Sequence, residues 1–305
     1  MEILKSFEDL LDRYVASGVR RRAAIVCPDD DHTEYVVRRC AEDDLVDLVL
    51  LLDGGESAEF RAFCSRFPSD RITLVDCGDA VAAAKEGVRM VHDGEAQVLM
   101  KGSLTTDTIL RAVIDKEGGR GLIAPGHIMS HLTLVEAPVY HKMLMFSDAA
   151  VIPQPTLDQF DAMIKYDCEV CSKLGIERPK IALIHFTEKI NHKFPVTTDY
   201  VELMARAEVG VYGDVEISGP MDVKTACDTE SAKIKKISSG VVGDADILIM
   251  PDLEAGNTFY KTVSYFGQAR MAGLITGTTS PVVVASRADS AESKFYSLIL
   301  ACMAS

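Results

Sequence analysis

Short apolar runs alternate with helical patterns along most of the chain, and this alternation restricts the fold more than any other feature of the sequence. The runs at 23–27, 48–52, 72–75 and 97–100 predict buried strands, with helical patterns between them. Strands separated by helices form βαβ units, so the pattern predicts a parallel sheet with helices on both faces. Because ligands of such sheets bind beyond the carboxyl ends of the strands, the residues that follow each strand are the candidates for a site.

The alternation continues in the second half of the chain. Strands are predicted at 180–184, 215–218 and 245–250, again with helical patterns between them. A strand-rich stretch at 132–152 precedes them. A length of 305 residues favours two domains over one, so we predict that the chain crosses into a second α/β domain near residue 150.

Composition and charge argue against several classes of protein. The formal net charge of −14 disfavours nucleic acid as a partner, although a local basic pocket could still bind a small anionic substrate. No apolar run approaches the roughly 18 residues that a membrane span needs, and the acidic start MEILKSFEDLLDRY differs from a signal peptide. Eight scattered cysteines suggest no disulfide framework. We therefore expect a cytoplasmic protein with reduced thiols and no membrane partner.

The stretch PVVVASRADSAESKFYS (281–297) predicts a buried strand, a short turn and the start of a helix. Asp289 or Ser290 would cap that helix. Free backbone N–H groups and the positive end of the helix dipole make such a turn a candidate anion site. Arg287 adds donors that fit a phosphate, and Ser286 adds a hydroxyl. The alternative is an ordinary loop with a solvated arginine.

Two further predicted strand ends carry residues that suit an anion. Lys101 and Gly102 end one strand, and Gly256 and Asn257, with Lys261, follow another. Together with the last strand they suggest a cleft for a phosphate-bearing ligand, although a glycine that only makes a turn beside a solvated lysine would look the same.

Other motifs that would assign a function are missing from the sequence. It has no dinucleotide fingerprint, no P-loop and no G-x-S-x-G, so those three enzyme classes are disfavoured. The single C-x-x-C at 168–171 has no second pair, and no cluster has metal-ligand spacing, so we predict no metal site.

Several separated segments, in order, resemble one family. They include LMKGSLTTDTILRAVIDKE (99–117), ADILIMPDLEAGNTFYK (245–261) and AGLITGTTSPVVVASRADSAESKFYSL (272–298). They are similar to the phosphate acetyltransferase and phosphate butyryltransferase family, and closer to its butyryltransferase branch. The resemblance implies two three-layer αβα domains with a cleft between them, as in isocitrate and isopropylmalate dehydrogenases. The implied domains are 1–149 with 279–305, and 150–278.

The family exchanges an acyl group between coenzyme A and inorganic phosphate, which gives an acyl phosphate. By this resemblance Ser286 would stabilise the oxyanion of the tetrahedral intermediate, Arg287 would hold phosphate, and Glu292 is a candidate base. Lys101, Gly102, Gly256, Asn257 and Lys261 would contact the substrates. Butyryl is the expected acyl group, coenzyme A is a substrate and not a bound cofactor, and a homo-oligomer built from dimers is expected.

Two positions depart from the family pattern. The acetyltransferase branch has Asp six residues after the Ser–Arg pair, where this chain has Ser293. In the G-P-L-x-x-D pattern the chain has Lys224 in place of the Asp, and Asp222 is the nearest carboxylate that could compensate. These departures keep open a phosphate acetyltransferase and a non-catalytic acyl-CoA binding protein. A decarboxylating dehydrogenase is a third alternative, because its class has a similar fold.

Overall fold

The computed structural model describes residues 3–115, 120–286 and 289–305. The strands within these ranges are β1 (Arg22–Val26), β2 (Asp47–Leu52), β3 (Ile72–Asp76), β4 (Val98–Lys101), β5 (Ser130–Glu136), β6 (Leu144–Ser147), β7 (Lys180–Ile184), β8 (Glu216–Met221), β9 (Ile247–Ile249), β10 (Arg270–Thr276) and β11 (Val282–Val283). The helices are α1 (Phe7–Ala16), α2 (Asp31–Glu42), α3 (Ala58–Cys64), α4 (Ala80–His92), α5 (Thr106–Ile114), α6 (Leu157–Lys173), α7 (Pro195–Glu208), α8 (Val223–Cys227), α9 (Thr229–Lys235), α10 (Leu253–Tyr265) and α11 (Ala291–Ala304).

The chain divides into two compact units. The terminal unit comprises residues 7–127 and 272–305, and the central unit comprises residues 1–6 and 128–271. No helix within the described ranges is long and apolar enough to cross a membrane. All eight cysteines are free thiols.

In the terminal unit the strand order is β3-β2-β1-β4-β11, and every neighbouring pair is parallel. The residues from Leu48 to Leu52 of β2 are at most 1% exposed. Since successive strand residues point to opposite faces, both faces of β2 are covered. The last helix, α11, packs against α1 and α2. Ile275 of β10 pairs with Val282 of β11 in antiparallel fashion.

In the central unit the strand order is β5-β6-β9-β7-β8. All neighbours are parallel except β5 and β6, which form an antiparallel pair. The helix α7 is held to the end of β7 by the buried Tyr200, whose hydroxyl donates to the Ile184 carbonyl at 2.8 Å. This contact fixes the first turns of α7 beside the carboxyl end of β7.

The predicted α/β class is confirmed, with two differences in detail. The β5–β6 and β10–β11 pairs are antiparallel, whereas the sequence predicted only parallel pairing. The strand β10 was not predicted, because Gly273 interrupts its short apolar run and weakens the strand pattern. The domain boundaries predicted at 149 and 278 stay a prediction. The compact units differ from them by placing β5 and β6 in the central unit, where β6 pairs with β9.

Candidate functional site

Two of the predicted strand ends lie side by side in the terminal unit. Val282 pairs with Leu99, and Val283 pairs with Met100, in parallel register. Lys101 follows Met100 directly, and Ser286 lies three residues after Val283. Since parallel strands end at the same edge of a sheet, Lys101 and Ser286 belong to one edge.

Gly102 lies where the end of β4 crosses the end of β1. Its N–H donates to the Val26 carbonyl at 2.8 Å, and the next N–H, of Ser103, donates to the Cys27 carbonyl at 2.8 Å. A Cβ atom on Gly102 would overlap the Cys27 carbonyl oxygen. The close approach of two backbones therefore requires glycine here, which explains its presence without a ligand.

Lys101 is buried, with only 3% of its surface exposed. Its ammonium donates to the Gly102 carbonyl at 3.1 Å. A charged group is costly to bury unless it is hydrogen-bonded and compensated by opposite charge. The alternative of a solvated lysine is therefore wrong, and the end of β4 carries a desolvated cation.

Ser286 begins a closed turn at the end of β11. Its N–H donates to Asp289 Oδ2 at 2.7 Å, and the Asp289 N–H donates back to the Ser286 carbonyl at 3.1 Å. His32 Nδ1 of α2 lies 2.9 Å from the Asp289 carbonyl oxygen. Free backbone N–H groups were expected in this turn, but the N–H of Ser286 is occupied by Asp289. The residue Ser286 itself is exposed.

The helix after this turn is capped by Ser290, as one of the two predictions had it. The Ser290 side chain accepts from the Ser293 N–H at 3.1 Å. Glu292, in the first turn of this helix, is exposed and takes no part in the cap. Arg287, the predicted phosphate ligand, lies outside the described residues.

Sequence reasoning missed the ion pair that anchors this helix. Lys294 Nζ lies 2.7 Å from Asp30 Oδ1 and 3.0 Å from Thr33 Oγ1, and the lysine is 3% exposed. Burial alone would raise the pKa of Asp30, but hydrogen bonds from Lys294 and Thr33 outweigh it and hold the pKa below its usual value. A lysine in the first turn of a helix opposes the helix dipole, and that mismatch was the available signal.

The residues of the third predicted strand end lie in the central unit, on α10. A Cβ atom on Gly256 would overlap the Asp148 carbonyl oxygen, and Asn257 Nδ2 donates to the Ala149 carbonyl at 3.0 Å. The Lys261 ammonium lies 4.7 Å from the centre of the Tyr260 ring. These contacts seat α10 on the turn after β6, and the substrate role of Gly256, Asn257 and Lys261 stays a prediction.

The departure from the family pattern near Lys224 is not compensated by a free carboxylate. Asp222 Oδ1 accepts from the Thr225 N–H at 2.8 Å and caps α8, while Oδ2 is paired with Lys235. Burial would raise the pKa of Asp222, but these contacts lower it. Lys235 also contacts Glu188. Asp222 therefore serves this local network, and Lys224 is exposed.

The central unit also contains a pocket of about 680 Å³ that sequence reasoning did not single out. It lies at the carboxyl ends of β7 and β9, and we call it the α7 pocket. Its lining residues are Gln154, Pro155, Ile184, His185, Phe186, Lys193, Phe194, Pro195, Val196, Asp199, Pro251, Asp252 and Ala255. The sequence presented the stretch 185–195 only as a polar loop, because the aromatic rings that converge here are separated along the chain.

Comparison with known proteins identifies the family. The sequence model described as phosphate acetyl/butaryl transferase matches residues 77–302. This chain belongs to that family. It is 32% identical to the phosphate butyryltransferase of Clostridium acetobutylicum, over 99% of this chain and 98% of that protein. It is also 32% identical to the phosphate acetyltransferase of Thermotoga maritima, over 95% of this chain and 97% of that protein.

Solved structures agree with this assignment. A branched-chain phosphotransacylase from Enterococcus faecalis V583 has a TM-score of 0.80 and 30% identity, with 93% of this chain and 98% of that chain covered. A 4-hydroxythreonine-4-phosphate dehydrogenase from Klebsiella pneumoniae has a TM-score of 0.54 and 11% identity, with 93% of this chain and 98% of that chain covered. At this identity the comparison shows a likeness of fold alone. The predicted likeness to dehydrogenase folds is therefore confirmed. The family match and the relatives show that the protein is a phosphate acyltransferase. Relatives at equal identity carry acetyl and butyryl names, so the names do not fix the acyl group.

Proposed function

We propose that this phosphate acyltransferase transfers a short acyl group, preferentially butyryl, between coenzyme A and inorganic phosphate by direct attack in a ternary complex. The observation that carries the proposal is the meeting of β4 and β11, which brings the buried cation of Lys101 and the exposed Ser286 to one edge of the sheet. Arg287 follows Ser286 in sequence and supplies the donors for phosphate.

The chemistry follows from the charges that develop. A phosphate oxygen attacks the thioester carbonyl carbon, and the carbonyl oxygen becomes an oxyanion that the Ser286 hydroxyl stabilises by donating a hydrogen bond. The intermediate collapses with cleavage of the carbon–sulfur bond, which leaves acyl phosphate and the coenzyme A thiolate. Glu292, exposed and free of the helix cap, takes the proton that the phosphate loses as it becomes an acyl phosphate and passes it to the thiolate; in the reverse direction it removes the proton from the thiol. Lys101 adds positive charge near the phosphate.

The reaction in this form needs neither a metal nor a covalent acyl-enzyme, since holding both substrates together supplies much of the rate. Coenzyme A is accordingly a substrate and no tightly bound cofactor is proposed. Assembly as a homo-oligomer and a cytoplasmic location stay predictions.

The preference for butyryl is tested by thiol release from acetyl-, propionyl-, butyryl- and longer acyl-CoAs, each with and without phosphate. The proposal expects release only with phosphate and the highest kcat/KM for butyryl-CoA. A maximum at acetyl-CoA would make the protein a phosphate acetyltransferase instead. Binding of butyryl-CoA without phosphate-dependent release would make it a binding protein, an outcome that Ser293 and Lys224 keep open.

A further inference from the structure

The α7 pocket has an aromatic wall that suits a flat heterocycle. The ring centres of Phe186 and Phe194 lie 4.9 Å apart at 87°, and the His185 ring lies 4.4 Å from Phe186 and 5.3 Å from Phe194. Phe186 is 70% exposed, so much of one ring is available for contact. Stacking of a nucleobase on an exposed ring contributes about 1–3 kcal/mol and depends little on its sequence context.

The pocket also presents a hydrogen-bond acceptor. Asp199 on the first turns of α7 lines the pocket, and within the described part of the chain its carboxylate has no hydrogen-bond or ion-pair partner. Partial burial raises the pKa of Asp199, as expected for a carboxylate that has lost water without gaining a donor. The other lining carboxylate, Asp252, already accepts from the Ala255 N–H at 2.8 Å. Asp199 is thus a lining carboxylate that can accept from a ligand with N–H groups.

A donor lies on the same wall. His185 Nδ1 accepts from the Thr187 N–H at 3.2 Å, which leaves the ring proton on Nε2. Burial lowers the pKa of His185, so the ring stays neutral. An acceptor and a neutral donor beside aromatic rings are the groups that read the edge of a purine with an exocyclic amine.

The rim of the pocket is basic. Lys193 lines it, and Lys189 and His192 lie on the same loop; all three are exposed. None of the three side chains forms an ion pair with a described residue, whereas Glu188 on this loop is paired with Lys235. A lysine without a described partner at the mouth of an aromatic pocket, with a second lysine on the same loop, suits the phosphates of a nucleotide.

We propose that the α7 pocket binds the nucleotide end of coenzyme A, with the adenine ring against Phe186 and its amino group donating to Asp199. The inference rests on the proposed function, because it takes coenzyme A as the substrate. An acyl chain is the weaker occupant, since it would leave the Asp199 carboxylate desolvated without a donor. The volume of about 680 Å³ falls within the range of ordinary small-molecule sites.

The aromatic contact is tested with Phe186→Ala and two substrates, butyryl-CoA and butyryl-pantetheine, which lacks the nucleotide. The substitution should raise KM for butyryl-CoA roughly tenfold and leave kcat/KM for butyryl-pantetheine unchanged. Phe266→Ala is the matched control, because Phe266 is 80% exposed and does not line the pocket. Equal effects of Phe186→Ala on both substrates, or an altered preference for acyl chain length, would overturn the inference.

The polar contact is tested with Asp199→Asn and two competitive inhibitors, adenosine 3′,5′-bisphosphate and its inosine counterpart. The wild-type protein should bind the adenosine compound more tightly, because a carboxylate repels the 6-oxo group of hypoxanthine. Asparagine can donate or accept, so the variant should narrow this preference roughly tenfold. Glu208→Gln, an exposed change on the same helix, should leave the preference as in the wild type. An unchanged preference in Asp199→Asn would remove Asp199 from its role.

Failure of the inference and failure of the proposed function give different results. If the wild type releases thiol from butyryl-CoA with phosphate while Phe186→Ala and Asp199→Asn behave as their controls do, the pocket assignment is wrong and the activity stands. If the wild type binds adenosine 3′,5′-bisphosphate in direct calorimetry, and Phe186→Ala weakens that binding, the pocket is a nucleotide site even where no turnover occurs.

Discussion

Val283 of β11 pairs in parallel register with Met100 of β4, and this pairing brings two distant parts of the chain to one edge of the sheet. The residues that follow, Lys101 on one strand and Ser286 on the other, differ in environment. Lys101 is a buried cation, and Ser286 is exposed in a turn closed by Asp289. A desolvated positive charge and an exposed serine at the same edge of the sheet are what the proposed attack of phosphate on a thioester requires.

Replacement of Ser286 by alanine tests the oxyanion role. The change should lower kcat roughly 100-fold or more, because one preorganised donor to the transition state is lost. Thiol release from butyryl-CoA at saturating phosphate is the measurement. Ser238→Ala, an exposed serine elsewhere in the chain, is the control and should keep wild-type kcat. Full activity of Ser286→Ala would exclude the role.

Replacement of Arg287 by alanine tests phosphate binding. The apparent KM for phosphate should rise about tenfold or more, since a hydrogen bond to a charged group is lost, while KM for butyryl-CoA changes little. Arg111→Ala serves as the control, because the Arg111 side chain is 79% exposed and pairs with Asp107 of the same helix. An unchanged phosphate dependence in Arg287→Ala would count against the assignment.

The pair of Lys294 and Asp30 makes a prediction about stability and pH. Asp30→Asn keeps the cap of α2 but removes the charge that faces Lys294, so the free energy of unfolding should fall by about 2 kcal/mol near neutral pH. The folded pKa of Asp30 lies below its unfolded value of about 3.9, so the stabilisation is complete above that pH and is lost as the pH falls through the folded pKa. Urea unfolding between pH 7 and pH 2 measures the difference from wild type. The exposed Asp12→Asn should show no such trend, and a constant difference for Asp30→Asn would contradict the account.

Buried Asp167 makes a prediction of opposite sign. Burial raises its pKa to about 8 and the nearby Asp148 adds to the rise, although Ser147 donates to Asp167 Oδ1 at 3.0 Å. The folded protein therefore holds a proton that the unfolded chain loses above about pH 4, and stability falls by up to about 1.4 kcal/mol per pH unit between pH 4 and 8. Asp167→Asn should remove this loss, so its free energy of unfolding should rise relative to that of the wild type as the pH rises. Glu169→Gln, exposed on the same helix, should follow the wild type, and a pH-independent difference for Asp167→Asn would be the contrary result.

The sequence predicted the α/β class and most strands because each strand carries its own local apolar pattern. It also placed Lys101 and Ser286 at strand ends, since the residues after a buried strand are visible in the chain. It could not show that β4 and β11 are neighbours, because strand order depends on contacts between distant segments. The contact between β4 and β11 could be seen only in the coordinates. The same is true of the hydrogen bond from the Ser286 N–H to Asp289.

The α7 pocket and the roles of two glycines could not be predicted from local sequence patterns. The α7 pocket forms where Phe186 and Phe194 lie close to Asp199. In the sequence these are three ordinary residues of a loop and a helix, because the folding of the chain brings them together. Gly102 and Gly256 were predicted to contact the substrates, and each also admits a close approach of a neighbouring backbone. The sequence cannot separate these two roles, because both require a residue without a Cβ atom.

The central claim, that phosphate accepts the acyl group directly, is tested most closely by measuring both products of one reaction. The purified protein is mixed with butyryl-CoA and phosphate, and free thiol and butyryl phosphate are quantified together, the latter by hydroxylamine trapping and phosphorus NMR. The account predicts equal amounts of the two products and no thiol without phosphate. Thiol release without butyryl phosphate would contradict it.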